Sequence, residues 1–380
     1  EIDATGLVLA PGFIDAHAHD DQAIMETPDM PFKTSQGVTT VVNGNCGISI
    51  APLKTNVTPP LPIKLAIPNP DKAFSTFTDY FAALDAAPAA VNSISMAGHS
   101  TLRFAVMDQL DRPASAAEIA KMRQMLELAM QQGAVGLSTG LFYPPAKAAP
   151  TDEVIELCRV LPEYNGLYVT HMRDEADGVM ASIDETARIG HEAGVPVVIS
   201  HHKCAGKANH GRSCETLPRI EEIAHTLSIS MDAYPYAASS TMLGVGNEAR
   251  ASRIIITWSD AMPEAANRDL AELAEELGLS ISEAVERLIP AGGIFFTMDE
   301  GDVRRILRHP LTVVGSDGIP QDKHPHPRLW GSFPRVLGHY ARDEGIFSLE
   351  DAVRRMTSTT ARRFGIRDRG EIREGAFADL

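Results

Sequence analysis

The sequence predicts an α/β fold, specifically a TIM-type (β/α)8 barrel, and three observations support this prediction. Short β-branched runs alternate with longer amphipathic runs along the 380 residues, which is the pattern of repeated βα units. Eight short runs can be counted, and eight strands close a barrel of this type. Side chains of metal-binding types follow several of these runs, at the strand ends where such barrels carry their functional residues.

The eight predicted strands are short runs, most of them rich in β-branched residues. In chain order they are GFIDAH (12–17), VTTVVN (38–43), NSISMA (92–97), AVGLST (134–139), GLYVTH (166–171), VPVVIS (195–200), LSISMDA (227–233) and LTVVGS (311–316). Most segments between them have helical periodicity. In residues 115–133, for example, apolar positions from Ile119 to Met130 recur at helical spacing, and Gly133 is a helix stop.

Three parts of the chain depart from this regular alternation. Residues 237–300 lie between the seventh and eighth strands and contain extra helical patterns, so we expect an inserted subdomain that forms a lid over the barrel mouth. Residues 348–365 predict one further helix. The barrel is expected to span 10–365, and segments 1–9 and 366–380 to be remnants of a small β-sandwich domain that is truncated at both ends.

Composition and charge restrict the classes of partner. The net charge is −16 and the isoelectric point about 5.2, whereas a nucleic-acid or anionic-membrane partner would favour a basic surface. No run approaches the roughly 20 apolar residues of a membrane helix. The four cysteines form no CxxC pair or disulfide framework, which favours a reducing compartment. We therefore expect a cytoplasmic protein without a nucleic-acid or membrane partner, and its oligomeric state stays open.

Imidazole, thiolate and carboxylate groups follow five of the eight predicted strands. They are His17 and His19 after the first strand, Cys46 after the second, His171 at the end of the fifth, His201 after the sixth and Asp317 after the eighth. Each alone has a more common structural role, such as a hydrogen-bonded histidine, a buried thiol or a turn-capping aspartate. Together, at the edge where barrels build their sites, they predict a zinc site.

The order of these residues resembles that of the amidohydrolase superfamily, in which an HxH motif ends the first strand, single histidines follow strands five and six, and an aspartate follows strand eight. Within that superfamily, nearly the whole sequence is similar to the N-acyl-D-amino-acid deacylase (D-aminoacylase) family. The resemblance is carried by seven blocks in order, namely PGFIDAHAHDD, GVTTVVNGNCGIS, GAVGLSTGLFYPP, THMRDE, ISHHKCAG, DAYPYAASSTML and GSDG.

The resemblance implies one tight zinc site and a second, weaker site. Many binuclear amidohydrolases bridge two metals with a carboxylated lysine after strand four, but this chain has LSTGLFYPP there and no lysine before Lys147. The deacylases use a cysteine in place of that bridge, and Cys46 matches it. The resemblance therefore assigns the tight zinc to Cys46, His171 and His201, and the second site to His17, His19 and Asp317.

The reaction implied by the resemblance is zinc-dependent hydrolysis of the amide bond of an N-acyl-D-amino acid, which yields a carboxylate and a free D-amino acid. A hydroxide formed on the metal attacks the carbonyl, and Asp317 acts first as general base and then as general acid. Lys203 and Arg328 are expected to clamp the α-carboxylate. Further substrate contacts are expected from Tyr143, Tyr234, Ser240, Phe142 and Met298.

Alternatives remain open from the residues alone. Another amidohydrolase, such as a cyclic amidase or a dipeptidase, shares most of the ligand set, although cyclic amidases use the bridging lysine that is missing here. A non-catalytic barrel scaffold usually loses ligands, which this chain keeps. Lys203 and Arg328, taken singly, are compatible with surface charges, and Arg250 is expected to be a solvated arginine. The preferred side chain, whether D-glutamate, D-aspartate or hydrophobic, is not decided.

Overall fold

The computed structural model describes residues 3, 5–53, 57–244 and 246–380. Its strands are β1 (Phe13–Asp15), β2 (Val38–Asn43), β3 (Asn92–Ser95), β4 (Ala97–Gly98), β5 (Gly136–Gly140), β6 (Leu167–His171), β7 (Val197–Ile199), β8 (Ile229–Ala233), β9 (Ala238–Met242), β10 (Ile254–Ser259), β11 (Ala291–Phe296) and β12 (Thr312–Val314). Every strand predicted from the sequence is present among them.

Helices occupy most of the segments between the strands. They are α1 (Ala23–Glu26), α2 (Pro31–Thr34), α3 (Ile63–Ala66), α4 (Phe77–Ala86), α5 (His99–Val106), α6 (Ala116–Gln131), α7 (Pro144–Lys147), α8 (Thr151–Cys158), α9 (Val179–Ala193), α10 (Ser213–Ala224), α11 (Leu270–Leu277), α12 (Ile281–Leu288), α13 (Glu300–Arg308), α14 (Arg328–Arg335), α15 (Leu349–Met356) and α16 (Ser358–Arg363). A π-helix, Val336–Asp343, continues α14. Short 3-10 turns lie at Pro70–Lys72, Leu161–Tyr164, Lys207–Asn209, Glu248–Arg250 and Pro263–Ala265.

Local signals explain the boundaries of the predicted helices. Ser115 begins α6 through a reciprocal capping box with Glu118, which satisfies backbone N–H groups that have no partner within the helix. Gly194 ends α9 in the left-handed region, at φ 68°, where glycine carries no side-chain penalty. The helical periodicity predicted for residues 115–133 is therefore confirmed.

The strands predicted from the sequence form two parallel sheets. One has the order β1-β2-β3 and the other β12-β8-β7-β6-β5-β4. The predicted third strand is divided at Met96 into β3 and β4, one in each sheet. On the other side, the backbone N–H of Ala16 donates to the carbonyl of Val314 at 3.1 Å. Within each sheet all pairings are parallel, so the carboxyl ends of the strands share one edge, where α/β folds place their ligands.

Two apolar clusters stabilise these sheets. The larger lies between the strands and the helices that cover them, and it includes Leu126 of α6 and Ile183 of α9. The smaller lies between strands of both sheets and includes Ile14, Val42, Val169, Val198 and Val313. Burial of such side chains is the main favourable term in folding, at about 25 cal/mol per Å² of apolar surface. The smaller cluster therefore joins the two sheets through a common apolar core.

The segment between β8 and β12 contains a separate antiparallel sheet with the order β10-β11-β9. This sheet and helices α11 and α12 enclose their own apolar cluster, with Ile256, Leu273, Leu288 and Phe295 among its buried members. The helices are as predicted, but the three strands were not predicted. The sequence of β9, ASSTM, is largely polar and lacks the alternation that marks a half-buried strand.

The C-terminal part differs from the prediction in one respect. Residues 348–365 form two helices, α15 and α16, because Thr357 between them has the non-helical angles φ −133° and ψ −102°. No strand is assigned to the described residues of segments 1–9 and 366–380, so the small β-sandwich domain stays a prediction. Among the helices of the described ranges, none has both the length and the apolar character that a membrane crossing requires.

Candidate metal centre and active site

The structure brings all six predicted metal ligands together at the carboxyl ends of parallel strands. His171 is the last residue of β6, and the other five lie in the turns that follow β1, β2, β7 and β12. Each of the six is at most 7% exposed. The backbone N–H of Asp317 donates to the carbonyl of His17 at 2.8 Å, which joins the first of these turns to the last.

Cys46 lies among three of the histidines. Its Sγ atom is 3.4 Å from Nε2 of His17, 3.4 Å from Nε2 of His201 and 3.7 Å from Nδ1 of His171. Donor atoms about 2.0–2.3 Å from one tetrahedral zinc ion lie roughly 3.3–3.8 Å from each other. The spacing around the thiol therefore fits a zinc ion, and a thiolate with imidazoles is the donor set that zinc favours.

Asp317 closes a second group beside the first. Its Oδ1 oxygen lies 3.2 Å from Nε2 of His19 and 3.5 Å from Nε2 of His17. The ligand atoms of these three residues lie within 4.8 Å of one another, and so do those of His17, Cys46 and His201. His17 therefore adjoins both groups, and the division of ligands into two separate sites is less sharp than the sequence prediction implied.

Three of the six residues hold a backbone conformation that side chains rarely adopt. Cys46, His201 and Asp317 have φ values of 53°, 35° and 51°, in the left-handed region that costs of order 1–3 kcal/mol for residues other than glycine. The turn of Cys46 also needs a close neighbour at Gly140, where an added Cβ would lie 2.3 Å from the Cys46 carbonyl oxygen. Such strain concentrates at functional sites.

The charges of the cluster favour ionised forms. Burial alone would raise the pKa of the Cys46 thiol, but His17 and His201 outweigh it and hold that pKa well below its ordinary value. Burial lowers the pKa of His19, but Asp317 and Cys46 outweigh it and raise the pKa to about 9. Without a metal, protonated imidazoles thus balance a thiolate and a carboxylate. A cation that binds there displaces these protons.

Two carboxylates that were not predicted contact the ligand histidines on the nitrogen atoms that face away from Cys46. Asp232, at the end of β8, places Oδ2 3.2 Å from Nδ1 of His17 and accepts the backbone N–H of His201 at 2.9 Å on Oδ1. Glu175, four residues after His171, lies 2.9 Å from Nδ1 of His201. Both residues stand in blocks that carry the resemblance to the deacylases, THMRDE and DAYPYAASSTML, and that membership was the available signal for them.

An open cavity of about 880 Å³, counted with the solvent at its mouth, is lined by five of the six predicted ligands, namely His19, Cys46, His171, His201 and Asp317. One part of its wall is apolar and includes Ile48, Pro62, Leu65 and Ile319. Another part comes from the segment between β8 and β12 and includes Ser239, Ser240, Thr241, Asn247 and Arg250. Arg250, which was expected to be a solvated arginine, lines this cavity with a side chain that is 32% exposed and therefore only partly solvated.

Five of the seven predicted substrate-binding residues line the cavity, namely Phe142, Tyr143, Lys203, Tyr234 and Ser240. The other two do not line it. Met298 contributes to a smaller adjoining cavity of about 290 Å³, so the expected contact of Met298 with substrate is not supported by its position. Arg328 lies behind Asp317, with Nη2 donating to the carbonyl of Ser240 at 3.2 Å and its guanidinium 4.6 Å from the Tyr234 ring centroid.

Lys203 lies in the cavity wall, but its ammonium is already paired. Nζ donates to both carboxylate oxygens of Glu175 at 2.8 Å and lies 2.8 Å from Nδ1 of His201. A substrate carboxylate at this position therefore meets a lysine whose charge is balanced by Glu175, and it has to compete for the N–H donors of Lys203.

Comparison with known proteins agrees with this geometry. The model described as Amidohydrolase family matches residues 1–282 and 245–380. A D-aminoacylase of Alcaligenes xylosoxydans xylosoxydans is 56% identical over 379 residues, which are 100% of this chain and 78% of that protein. A solved structure of a D-aminoacylase with a binuclear metal centre has a TM-score of 0.94 at 53% identity and covers 97% of this chain and 77% of that one.

A further solved structure carries both a metal and an inhibitor. It is the N-acyl-D-glutamate deacylase from Bordetella bronchiseptica, complexed with zinc and a phosphonate that mimics the tetrahedral intermediate. Its TM-score is 0.96 at 45% identity, with 99% of this chain and 79% of that chain covered. These similarities extend over essentially the whole sequence. The chain therefore belongs to the amidohydrolase family and, within it, to the N-acyl-D-amino-acid deacylases.

Proposed function

We propose that this protein is a zinc-dependent hydrolase that cleaves the amide bond of N-acyl-D-amino acids to a carboxylate and a free D-amino acid. The observation that carries the proposal is the Cys46 thiol between His201 and His171, at the base of a cavity that Asp317 also faces. Relatives at 45–56% identity over the whole chain are a D-aminoacylase and an N-acyl-D-glutamate deacylase.

The tight zinc site is proposed to consist of Cys46, His171 and His201, and the second site of His17, His19 and Asp317. The distances of 3.4 and 3.7 Å from the thiol to His201 and His171 support the first assignment. The 3.2 Å separation between Asp317 and His19 supports the second. When bound, zinc supplies Lewis-acid activation of a water molecule and of the scissile carbonyl at neutral pH.

Asp317 is proposed to move the proton. Burial would raise the pKa of its carboxyl, but Arg328 and the neighbouring histidines outweigh burial and hold the pKa well below its ordinary value. Asp317 is therefore ionised at neutral pH and can accept the proton that water loses as it attacks the amide carbonyl. The protonated carboxyl then donates to the nitrogen of the departing amine, which completes the hydrolysis.

The substrate is proposed to lie between the apolar wall and the segment that contains β9. Tyr143, Tyr234 and Ser240 line the cavity beside the cluster and supply hydroxyl groups for the carboxylate and the amide. Lys203 adds a positive charge that Glu175 partly balances. Phe142 stacks near His171, with ring centroids 5.7 Å apart, and provides an apolar contact for the acyl group or the side chain.

The proposal extends to the architecture. The hydrogen bond from Ala16 to Val314 and the apolar cluster shared by both sheets support closure into one barrel over residues 10–365. Segment 237–300 is proposed as the lid subdomain, because its residues form one wall of the cavity. Segments 1–9 and 366–380 are proposed as parts of a small β-sandwich domain. The cytoplasmic location stays a prediction from the cysteine spacing.

The test is a panel of N-acetyl-D- and N-acetyl-L-amino acids that spans acidic and hydrophobic side chains, assayed with zinc present. We expect free amino acid to be released from the D substrates and little from the L forms. Equal rates of hydrolysis for the D and L enantiomers, or no release of amino acid from any substrate, would contradict the proposal. Asp317→Asn is the matched variant, and it is expected to keep binding N-acetyl-D-amino acids while losing hydrolysis by at least about 100-fold.

A cyclic amidase or a dipeptidase is the second candidate class. The same panel separates these activities when a dihydropyrimidine, a dihydroorotate and an isoaspartyl dipeptide are included. A protein that hydrolyses one of these and leaves N-acetyl-D-amino acids intact would move the assignment to that class. A protein that binds these molecules and hydrolyses none would be a scaffold.

A further inference from the structure

Glu175 lies in the cavity wall and contacts three functional side chains at once. One of its oxygens is 2.9 Å from Nδ1 of His201, and both accept from Nζ of Lys203 at 2.8 Å. The other oxygen lies 3.6 Å from Nε2 of His171. The Glu175 side chain is 13% exposed, so these contacts are largely shielded from water and from screening by salt.

The nitrogen atoms that face Glu175 are those turned away from the thiol. His201 directs Nε2 towards Cys46 at 3.4 Å and Nδ1 towards Glu175. His171 directs Nδ1 towards Cys46 at 3.7 Å and Nε2 towards Glu175. One carboxylate thus lies behind both imidazoles that the proposed tight site requires. At 2.9 Å from Nδ1 of His201, a carboxylate can fix the ring orientation and keep the hydrogen on the nitrogen that does not bind metal. At 3.6 Å from Nε2 of His171, beyond hydrogen-bond distance, it acts on that ring through its charge.

We propose that Glu175 is a positioning residue for the zinc site, which orients His171 and His201 towards Cys46 and holds Lys203 beside them. The proposal rests on the zinc site assigned above, but it does not depend on which substrate the protein cleaves. A simpler alternative is that Glu175 serves only as the counter-ion of Lys203. In that case its loss would weaken metal binding only through the unbalanced ammonium charge near the site.

Zinc affinity, measured by chelator competition on the purified full chain without substrate, distinguishes these two roles. Glu175→Gln keeps the size of the side chain and removes its charge, and we expect zinc to bind about 10–100-fold more weakly. The double variant Glu175→Gln with Lys203→Met removes both charges. If Glu175 orients the histidines, the double variant stays at least about 10-fold weaker than the wild type. Recovery of wild-type affinity would overturn the proposal.

Glu185→Gln is the matched control. The Glu185 side chain is 14% exposed and pairs with Arg173, two residues before Glu175, without lining the cavity. We expect wild-type zinc affinity for this variant, although it also loses a shielded carboxylate that pairs with a cation. A similar loss of affinity in Glu185→Gln would show that the effect comes from general loosening of the loop, and it would overturn the proposal.

The visible spectrum of the cobalt-substituted protein reports on ligand geometry directly. We expect Glu175→Gln to change the position or the intensity of the cobalt bands, Glu175→Asp to lie between this variant and the wild type, and Glu185→Gln to match the wild type. If Glu175→Gln does not fold, Glu175→Asp carries the test. Unchanged spectra and affinities in the variants at position 175 would refute positioning by Glu175, whereas a failure of hydrolysis alone would refute the proposed function and leave this inference standing.

Discussion

Nη1 of Arg328 lies 2.6 Å from Oδ2 of Asp317, and both side chains are nearly excluded from water. The sequence predicted that Arg328 would clamp the substrate carboxylate. Its position behind Asp317, with the guanidinium 4.6 Å from the Tyr234 ring centroid, gives it a further effect. The guanidinium charge favours the ionised form of Asp317, and the contact of Arg328 with a substrate carboxylate stays a prediction.

Arg328→Met is expected to move the acidic limb of the pH profile of kcat/KM to higher pH. Asp317 is active as a base when ionised, and Arg328 lowers its pKa. Without that charge, burial dominates and raises the pKa, so activity is lost at a higher pH as the solution is acidified. Arg335→Met, which removes a guanidinium 5.1 Å from the Tyr236 ring centroid, is the control. An unshifted limb in Arg328→Met would show that Asp317 does not control it.

Substitutions in the proposed tight site and in the proposed second site should lower the zinc content by different amounts. Cys46→Ala removes the thiolate that lies within 3.7 Å of His171 and His201, and we expect it to remove most of the bound zinc. The double variant His17→Ala with His19→Ala should lose only part of it. Cys204→Ala, a buried thiol outside the cluster, should keep wild-type content. Elemental analysis after dialysis measures all three, and equal loss in the first two would contradict the assignment of the tight site.

A buried lysine ties together the turns that carry His17 and Asp317. Lys33 Nζ donates to Oδ2 of Asp15 at 2.6 Å and to Oγ of Ser316 at 2.9 Å. Oδ1 of Asp15 accepts the backbone N–H of Ser316 at 2.7 Å and that of His17 at 3.2 Å. This network connects the end of β1 with the loop after β12, at the junction of the two sheets.

Lys33→Met should therefore be strongly destabilising. It leaves the Asp15 carboxylate buried without its cation, and the free energy of unfolding is expected to fall by about 3–5 kcal/mol. Lys72→Met removes an exposed lysine that pairs with Glu26 at 2.8 Å, and it should cost at most about 1 kcal/mol. Denaturant titrations of both variants measure the difference. Similar small losses would show that the buried network does not stabilise the fold.

The metal-free protein should lose stability in mild acid through His202. This side chain is buried against Thr216, with Nε2 2.9 Å from Oγ1, and burial lowers the pKa of His202 to about 4. The unfolded chain protonates near pH 6.5, before the folded one, so stability is full above that pH and decreases as pH falls towards 4. The decrease over the whole window is about 3 kcal/mol.

Unfolding titrations at pH 7 and pH 4.5 measure this effect. In His202→Gln the free energy of unfolding should differ less between the two pH values than in the wild type. The glutamine side chain binds no proton in either the folded or the unfolded state. His225→Gln, at an exposed position, serves as the control and should behave like the wild type. A wild-type response in His202→Gln would assign the acid sensitivity to other groups.

The sequence predicted the strands and the ligands for the same reason. Short β-branched runs indicate buried strands. Once the strands are placed, the residues at their carboxyl ends are expected at one edge of a parallel sheet, which identifies the ligands. Positions whose role depends on tertiary contacts were missed. Glu175 stands in the run RDEAD, where several carboxylates look equivalent until the loop is folded. Lys33 resembles a surface lysine in sequence, but its ammonium is buried against Asp15, Asp20 and the distant Ser316. In the segment between β8 and β12, β9 (ASSTM) is largely polar, whereas β10 (IIITWS) and β11 (AGGIFF) are apolar runs that were passed over among the helical patterns.

That segment has an apolar cluster of its own, while its Ser240 and Arg250 face the cavity. The cavity wall that contains Ser240 and Arg250 therefore belongs to a segment with a core of its own, separate from the apolar clusters that pack against the ligand-bearing strands. We expect substitutions in β9 and its loops to change substrate preference with little effect on the turns of Cys46 and His201, provided that the hydrogen bond from Arg328 to the Ser240 carbonyl is kept. A family with one chemistry and several side-chain preferences is the expected product of such a division, and grafting this segment between relatives is the most direct route to a new preference.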